Sequence, residues 1–376
     1  MIRSTMKSVG LAAMLAALPA AAHAAEAELP KTIAWTSYDV GSASYAQAVA
    51  IGKAISDAYG VSLRVLPATS DVARLLPLKQ GRVGFSLMGS ESYNAAEGTE
   101  AFGEPELGPQ RLMLLAGSNS NNCFTLALHG DTDIQKASDL KGKRIGYVVG
   151  SPALQNNVAA FLAFGGLTWD DVKAVEVPSF GASWEAFLNG QVDAITTLTT
   201  TSFAVQAEAS PNGLKWMPLP AAEKDAWKRL QAHKPQFSPR LATDGPTLSE
   251  ANPVECAGFP FPVLATYAEA DPDLVYNMTK AVEDTFDSYV KVEPGLVGLS
   301  PDRQNFQWVI PYHEGAVRYW KEVGLWTDED EAHNQSLMKR QDVLAEAWAG
   351  LAGASPEERK AQWPDVRDKA LADAGF

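Results

Sequence analysis

The sequence predicts an α/β protein of two lobes joined by a hinge, followed by a helical C-terminal tail. Three observations indicate this fold class. Segments typical of strands alternate with segments typical of helices, the same order of segments returns in the second half of the chain, and the end of the chain is charged and helical. Strand–helix–strand alternation is typical of a parallel sheet with helices on its faces. A chain of 376 residues is also longer than the roughly 250–300 residues at which single cores stop growing.

The first elements follow from hydrophobic periodicity. Residues 31–35 and 61–66 are predicted to be strands. Apolar and small side chains recur at helical spacing over 42–59, and a glycine follows at position 60, as is common at helix ends. A second helix is predicted over 70–80.

The strand–helix unit returns later in the chain. Residues 78–85 end a helix on Gly81 and begin a strand, and residues 188–195 do the same around Gly190. This echo predicts two lobes of one type.

The order of segments also predicts where the chain crosses between lobes. We expect strands at 123–128 and at 257–267, each at a crossing. The predicted division is a signal peptide over 1–24, a first lobe over 25–122 and 257–326, a second lobe over 123–256, and a helical C-terminal extension over 327–376.

The N-terminus has the pattern of a secretory signal. Arg3 and Lys7 precede an apolar stretch over 9–22, and Ala22-His23-Ala24 fits a cleavage site of small residues. The stretch is too short to span a bilayer. A buried N-terminal helix is the alternative. We expect an exported protein whose mature chain begins near residue 25.

Two cysteines, Cys123 and Cys256, occur in the chain. An even, small number in an exported protein favours one disulfide, which here would tie the predicted crossing strands together. Two buried free thiols are the alternative.

Composition and motifs exclude several classes of function. A net charge of −14 argues against nucleic acid or an anionic membrane as partner. No zinc-type histidine spacing, nucleophile elbow, phosphate loop or dinucleotide-binding glycine pattern is present, so we predict no catalytic residue, no metal and no cofactor. An enzyme without these motifs remains the alternative.

Polar loops follow the predicted strands, and each leads into a helix. Ligands of open parallel sheets bind at that edge, where helix N-termini favour anions. Small hydroxyl residues also cap helices without any ligand. The predicted ligand-binding residues are Ser42, Ser44, Tyr45, Thr69, Ser70, Arg74, Ser90, Tyr93, Ser151, Phe180, Thr199 and Thr200.

Arg74 is the cation among these residues. It lies one turn into the helix that begins near Ser70, where its guanidinium could bind a carboxylate through two hydrogen bonds. An exposed helix charge is the alternative.

The tail over 327–376 is predicted to be helical, with Trp348 and Trp363 as buried anchors. Packing across the back of a lobe is the preferred interpretation, and a dimerisation arm is the alternative.

Three segments resemble the TAXI family of solute-binding subunits of TRAP transporters. Residues 311–326 (PYHEGAVRYWKEVGLW) are similar to the family's "P-x-H-P-G-A-I-R-Y-Y-K-E-x-G" ending, and residues 273–281 (DLVYNMTKA) to its "DLVYxxTKA" helix. Residues 139–145 (DLKGKRI) match a "DLKGKRV" segment that is widespread in periplasmic binding proteins. The resemblance covers about 31–326.

The resemblance implies a two-lobed periplasmic-binding-protein fold of type II that closes over a small ligand such as an amino acid or organic acid. It also implies delivery to TRAP membrane subunits, with no enzymatic activity. The first loop keeps only Gly41 of the family's glycines, and Arg74 stands where the family commonly has Asn. These departures favour a carboxylate ligand. His313 is expected to be structural.

We therefore expect a monomeric, periplasmic capture protein for a small-molecule carboxylate, with TRAP transporter membrane subunits as partners and no nucleic-acid partner. An ABC-transporter receptor of the same fold is the alternative, followed by a hinge-closing transferase or hydrolase.

Overall fold

The structure is a computed structural model that describes residues 27–376. The predicted signal peptide over 1–24 lies outside the described residues. Within 27–376, none of the helices has the length and apolar character needed to cross a membrane.

The first lobe is built on a five-stranded sheet with the strand order β2-β1-β3-β12-β4. Strands β1, β2 and β3 are parallel, whereas β12 runs antiparallel to both β3 and β4. Its elements are β1 Thr32–Ser37, α1 Ala43–Tyr59, β2 Ser62–Pro67, α2 Asp71–Lys79, β3 Phe85–Met88, α3 Glu91–Glu97, β4 Leu112–Gly117, β12 Val263–Tyr267, α8 Pro272–Asp284, α9 Phe286–Tyr289 and α10 Glu314–Glu322.

The second lobe is built on a seven-stranded sheet with the order β10-β11-β5-β8-β6-β7, in which β9 also pairs with β5. Its elements are β5 Phe124–Leu128, β6 Arg144–Val148, α4 Pro152–Phe164, β7 Lys173–Val177, α5 Phe180–Leu188, β8 Ala194–Leu198, α6 Ser202–Glu208, β9 Lys215–Trp216, α7 Lys224–His233, β10 Ser238–Ala242 and β11 Val254–Gly258. Short 3-10 helices occupy Glu100–Gly103, Ala137–Leu140, Trp169–Asp171, Pro294–Leu299 and Pro301–Arg303.

The echo between the two halves is confirmed at the turns before β3 and β8. Gly81 and Gly190 both have a left-handed backbone, with φ of 65° and 66°. In each turn the glycine N–H donates to the carbonyl of the residue three positions earlier. The N–H of the residue after the glycine donates to the carbonyl five positions before it. A side chain at either glycine would be strained, which explains why both helices end on Gly. The predicted two-lobed α/β fold is therefore confirmed.

The chain crosses between the lobes twice, after β4 and after β11. The two crossings run side by side: the N–H of Ser118 donates to the carbonyl of Pro262 at 3.0 Å, and the N–H of Phe261 donates back to Ser118 at 3.0 Å. The predicted single strand over 257–267 is wrong, because β11 ends at Gly258 in one sheet and β12 begins at Val263 in the other. Two prolines in between have no N–H to continue a ladder. The predicted lobe limits stay a prediction.

A disulfide joins Cys123 to Cys256, as the cysteine count predicts. Their Cα atoms are 5.8 Å apart. Cys123 directly precedes β5 and Cys256 lies in β11, and these strands are neighbours in the second sheet. The bond therefore joins two neighbouring strands of one lobe at the base of both crossings and does not cross-link the two lobes.

The C-terminal tail forms two helices, α11 Asp328–Gly350 and α12 Pro356–Asp373, which pack on the back of the first lobe. Leu344, Leu351, Trp363 and Leu371 form a small core of their own. The indole N–H of Trp363 donates to the carbonyl of Gly98 at 2.7 Å. The packing that the sequence favours is confirmed for this helix pair, with Trp363 as the more deeply buried of the two predicted anchors.

Candidate functional site between the two lobes

A cavity of about 80 Å³ lies between the lobes, at the carboxyl ends of the parallel strands. The first lobe gives it a mainly polar wall and the second lobe a mainly apolar one. The first-lobe wall consists of Tyr38, Ser42, Ala43, Ser44, Asp71, Arg74, Gly89, Ser90 and Glu91. The other walls are formed by Phe124, Ser151, Ala153, Leu154, Asn157, Phe180, Leu198 and Thr201, with Phe259 and Phe261 from the second crossing.

Four helices present their N-terminal residues to this cavity. Ser42, Ser90, Ser151 and Thr201 are the N-cap residues of α1, α3, α4 and α6. Only Ser42 accepts a capping hydrogen bond on its side chain, from the N–H of Tyr45 at 3.2 Å. The other three hydroxyls do not cap their helices. Helix N-termini carry positive partial charge, which these helices bring to the cavity wall.

Arg74 is buried in the first-lobe wall, with 5% of the residue exposed. It forms an ion pair with Asp71, and its Nη1 donates to the carbonyl of Leu87 at 3.3 Å. Within the part of the chain that the structure describes, no atom accepts a hydrogen bond from its Nε. Burial lowers the pKa of Arg74 to about 10, although Tyr38 and Glu91 act in the opposite direction and raise it. The guanidinium therefore remains charged at neutral pH.

Tyr38 connects the two lobes across the cavity. It follows β1 in the first lobe, lies with its ring 5.1 Å from the guanidinium carbon of Arg74, and packs on Phe180 of the second lobe at 5.8 Å between ring centroids. Burial raises the pKa of Tyr38 to about 12, although a hydrogen bond with Ser151 lowers it. The phenol therefore stays protonated at neutral pH. The sequence placed Tyr38 in a candidate loop but did not single it out.

Glu91 is the second carboxylate of the wall, and its charge is met by a residue that the sequence did not indicate. Its Oε1 lies 3.2 Å from Nζ of Lys234, which also lies 2.8 Å from Oε1 of Glu100. Burial opposes protonation of Lys234, but the two carboxylates outweigh it and raise its pKa. Burial and the charge of Glu91 raise the pKa of Glu100, while Lys234 lowers it.

Of the predicted site residues, the structure brings six to the cavity: Ser42, Ser44, Arg74, Ser90, Ser151 and Phe180. Ser44 donates to the carbonyl of Leu87 at 3.3 Å and exchanges a hydrogen bond with Ser37 at 2.9 Å, so its hydroxyl fixes the first loop. The ligand-binding role of each residue stays a prediction.

The other six lie elsewhere. Ser70 caps α2 by accepting from the N–H of Ala73 at 3.2 Å, and it lines a neighbouring cavity of about 170 Å³. Tyr93 contacts Arg367 of α12, and Thr200 lines a groove on the other side of the crossings. The hydroxyl of Thr199 accepts from the N–H of Cys123 at 3.4 Å. Tyr45 and Thr69 do not line the cavity.

The described residues contain no group of three or more His, Cys, Asp or Glu side chains placed to hold a metal ion. His313 acts as the N-cap of α10, where its Nδ1 accepts from the N–H of Gly315 at 3.1 Å.

Several solved structures are similar in fold to this chain. The alkanesulfonate-binding protein SsuA from Xanthomonas axonopodis pv. citri, bound to MOPS, is 14% identical with a TM-score of 0.45, and the match covers 87% of this chain and 94% of that one. An ancestral arginine-binding protein bound to arginine is 16% identical with a TM-score of 0.45, over 72% of this chain and 100% of that one. The periplasmic aliphatic sulphonate binding protein SsuA from Escherichia coli is 12% identical with a TM-score of 0.43, over 81% of this chain and 79% of that one.

A family match covers most of the two lobes. The sequence pattern of the NMT1-like family fits residues 39–324, which begin just before α1 and end just after α10. The chain belongs to the NMT1-like family.

Proposed function

We propose that this chain is a periplasmic solute-binding protein that captures a small carboxylate-bearing ligand, an organic acid or amino acid, between its lobes. The observation that carries the proposal is the buried, charged guanidinium of Arg74 in the wall of a cavity that both lobes complete. A ligand that contacts both walls at once favours the closed arrangement, which is how binding is coupled to lobe closure.

The charges around the cavity support an anionic ligand. Lys234 already neutralises Glu91, and Asp71 occupies one edge of the Arg74 guanidinium. The Nε–H of Arg74 has no acceptor among the described residues, and the helix N-termini at Ser42 and Ser151 add positive partial charge. Two carboxylate oxygens can accept from the Nε and Nη groups of one guanidinium side by side.

The size of the cavity supports a small ligand. Drug-sized ligands occupy pockets of roughly 300–1,000 Å³. The cavity of about 80 Å³ is far smaller, so a molecule of only a few heavy atoms fits the closed arrangement. The apolar second-lobe wall, with Phe124, Leu154 and Phe180, would cover the hydrocarbon part of such a ligand.

The test is a thermal-shift and calorimetric screen of amino acids, keto acids and dicarboxylates against the purified mature chain. We expect one carboxylate to stabilise the wild type, and Arg74→Ala to weaken its binding about 10- to 100-fold, because hydrogen bonds to charged groups contribute roughly 1.5–3 kcal/mol. Arg74→Lys keeps the charge but loses the planar fork, and should bind with intermediate affinity.

Arg82→Ala is the matched control, because Arg82 is exposed in the same lobe and lies outside the cavity. Equal affinities of the Arg74→Ala and Arg82→Ala proteins for the stabilising carboxylate would show that Arg74 does not bind it. Failure of every compound to bind the wild type would contradict solute capture of this class.

Delivery to TRAP membrane subunits is the second part of the proposal, and it is supported by the resemblance of residues 273–281 and 311–326 to TAXI proteins. We expect genes for TRAP membrane subunits beside the gene of this protein, and ligand uptake that follows an ion gradient. Uptake that requires ATP would contradict this part and favour an ABC-transporter receptor.

A further inference from the structure

Lys234 is a lysine whose side chain is completely buried and whose partners lie in the other lobe. It lies in the second lobe, between α7 and β10, and its residue has no exposed surface. Its Nζ lies 3.2 Å from Oε1 of Glu91 and 2.8 Å from Oε1 of Glu100. Both carboxylates belong to the first lobe, at the start of α3 and in the 3-10 helix that follows it. The two ion pairs therefore exist only while the lobes are together.

Further contacts across the same seam show that Lys234 lies within a continuous interface. Nε2 of Gln236 donates to the carbonyl of Ser90 at 3.4 Å. Glu100 also forms a hydrogen bond with Asn156 of α4. Elsewhere between the lobes, the ring of Phe203 in α6 lies so close to Gly41 that a Cβ atom at this position would overlap it.

The charge balance explains why this seam needs a cation. In the first lobe, Asp71, Glu91 and Glu100 line the same small cavity next to the central one. The cation that this lobe places beside them, on the wall of the central cavity, is Arg74. Burying a carboxylate without a counter-ion is strongly unfavourable, and the same holds for an ammonium group. When the lobes are together, the second lobe brings an ammonium group to the two carboxylates, which offsets the cost of burying them.

We propose that Lys234 is a positioning residue of the cleft, which the second lobe supplies as the shared counter-ion of Glu91 and Glu100. The two ion pairs hold the lobes together over the cavity. They also neutralise Glu91, the carboxylate that lines the cavity together with Arg74 and Asp71. The anion preference of the cavity then depends on a residue that does not line it. The effect on anion preference rests on the proposed function, whereas the pairing of the lobes needs no ligand.

The test measures lobe separation without any ligand, by small-angle X-ray scattering on the mature chain after refolding to remove bound solute. We expect Lys234→Met to increase the radius of gyration, because two carboxylates would otherwise be buried unpaired. The Glu91→Gln/Glu100→Gln variant should also open, since it leaves the ammonium group unpaired. Combining all three substitutions should return the radius of gyration toward the wild-type value.

Lys215→Met is the matched control, because Nζ of Lys215 donates at 2.9 Å to the carbonyl of Ile134 within the second lobe. This variant can lose stability but should keep the wild-type radius of gyration. The proposal is overturned if Lys234→Met keeps the wild-type radius of gyration, or if its effect is the same with and without Glu91 and Glu100. If Lys234→Met does not fold, the Glu91→Gln/Glu100→Gln variant and the triple variant decide by the same comparison.

Discussion

At the scale of single residues, Glu283 is a carboxyl group buried without a counter-ion. It lies in α8 with 8% of the residue exposed, and among the described residues no donor reaches either of its oxygens. Burial, and after it the charge of Asp284, raises the pKa of Glu283 well above its ordinary value. Burial raises the pKa values of the Tyr289, Tyr312 and Tyr319 phenols, and the charge of Glu283 adds to each shift. Burial therefore favours the neutral acid form of Glu283 in the folded protein.

Glu283→Gln should make the protein more stable at neutral pH. In the unfolded chain a glutamate loses its proton near pH 4.3, whereas the folded protein keeps the proton of Glu283 to a higher pH. Because the unfolded state then binds fewer protons, the free energy of unfolding of the wild type falls as pH rises through this window. The glutamine variant has no proton to retain, so its advantage should grow as the pH rises above about 4.3.

Urea unfolding of both proteins at several pH values measures this difference, with Glu185→Gln, an exposed helix position, as the control. A gap between Glu283→Gln and wild type that stays constant with pH would contradict a buried neutral acid at this position.

At the scale of elements, helix α3 connects the cleft to the C-terminal helices. Glu91 begins it at the cavity, and Glu97 ends it with 3% of the residue exposed. Oε1 of Glu97 accepts from Nε of Arg340 at 2.7 Å, and Oε2 accepts from Nη2 of Arg367 at 2.5 Å. One carboxylate thus holds both α11 and α12 to the first lobe.

Glu97→Gln should therefore loosen the C-terminal helices. The substitution leaves two arginines without their carboxylate. Removing one partner of a buried ion pair lowers the free energy of unfolding by about 3–5 kcal/mol. We expect the lower end of this range because both arginines are partly exposed. Glu104→Gln is the matched control: its pair with Lys360 also joins the first lobe to α12 but is exposed, so its loss should cost less than about 1 kcal/mol. Equal free energies of unfolding for the two variants would contradict this account.

Elements whose limits depend on local pattern were predictable from sequence. The helix predicted over 42–59 is α1, because Ser42 caps its start and Gly60 its end. The strand predicted over 61–66 is β2 within one residue. The second crossing is predicted as one strand because residues 257–267 contain no charged residue and Thr266 is their one hydroxyl residue apart from Tyr267. A buried crossing therefore has the same composition as a core strand. Helices α8 and α9 divide at Thr285, whose hydroxyl donates to the carbonyl of Ala281 at 2.7 Å.

At the scale of the whole molecule, the site was predictable only as far as its loops. Strand-to-helix loops that carry hydroxyl groups indicate one edge of each sheet, and the structure places six of the predicted residues there. Lys234 lies 143 residues from Glu91 and 134 from Glu100, in a segment between a helix and an edge strand. Its role follows only from how the lobes meet, which no local pattern encodes. Arg74 was predictable as a site residue because it lies on the short helix that directly follows one of these loops.

The disulfide is the other long-range connection, and its position predicts what its loss changes. Cys123 and Cys256 are 133 residues apart in sequence, and they lie in adjacent strands of one lobe. A cross-link stabilises mainly by restricting the unfolded chain, so Cys123→Ser/Cys256→Ser should lower the free energy of unfolding by about 2–5 kcal/mol. Because the bond does not join the lobes, the radius of gyration of the folded double variant should match that of the wild type.

Alkylation followed by mass spectrometry checks the bond itself, and scattering together with urea unfolding checks its consequence. The wild-type chain should take up two alkyl groups only after reduction. Two thiols that react without a reductant would contradict the bond, and an altered lobe separation in the folded double variant would contradict its confinement to one lobe. If the double variant is less stable but keeps the wild-type lobe separation, the covalent bond beside the crossings does not control closure. Closure would then be controlled by side-chain contacts between the lobes, such as those of Lys234 and Tyr38.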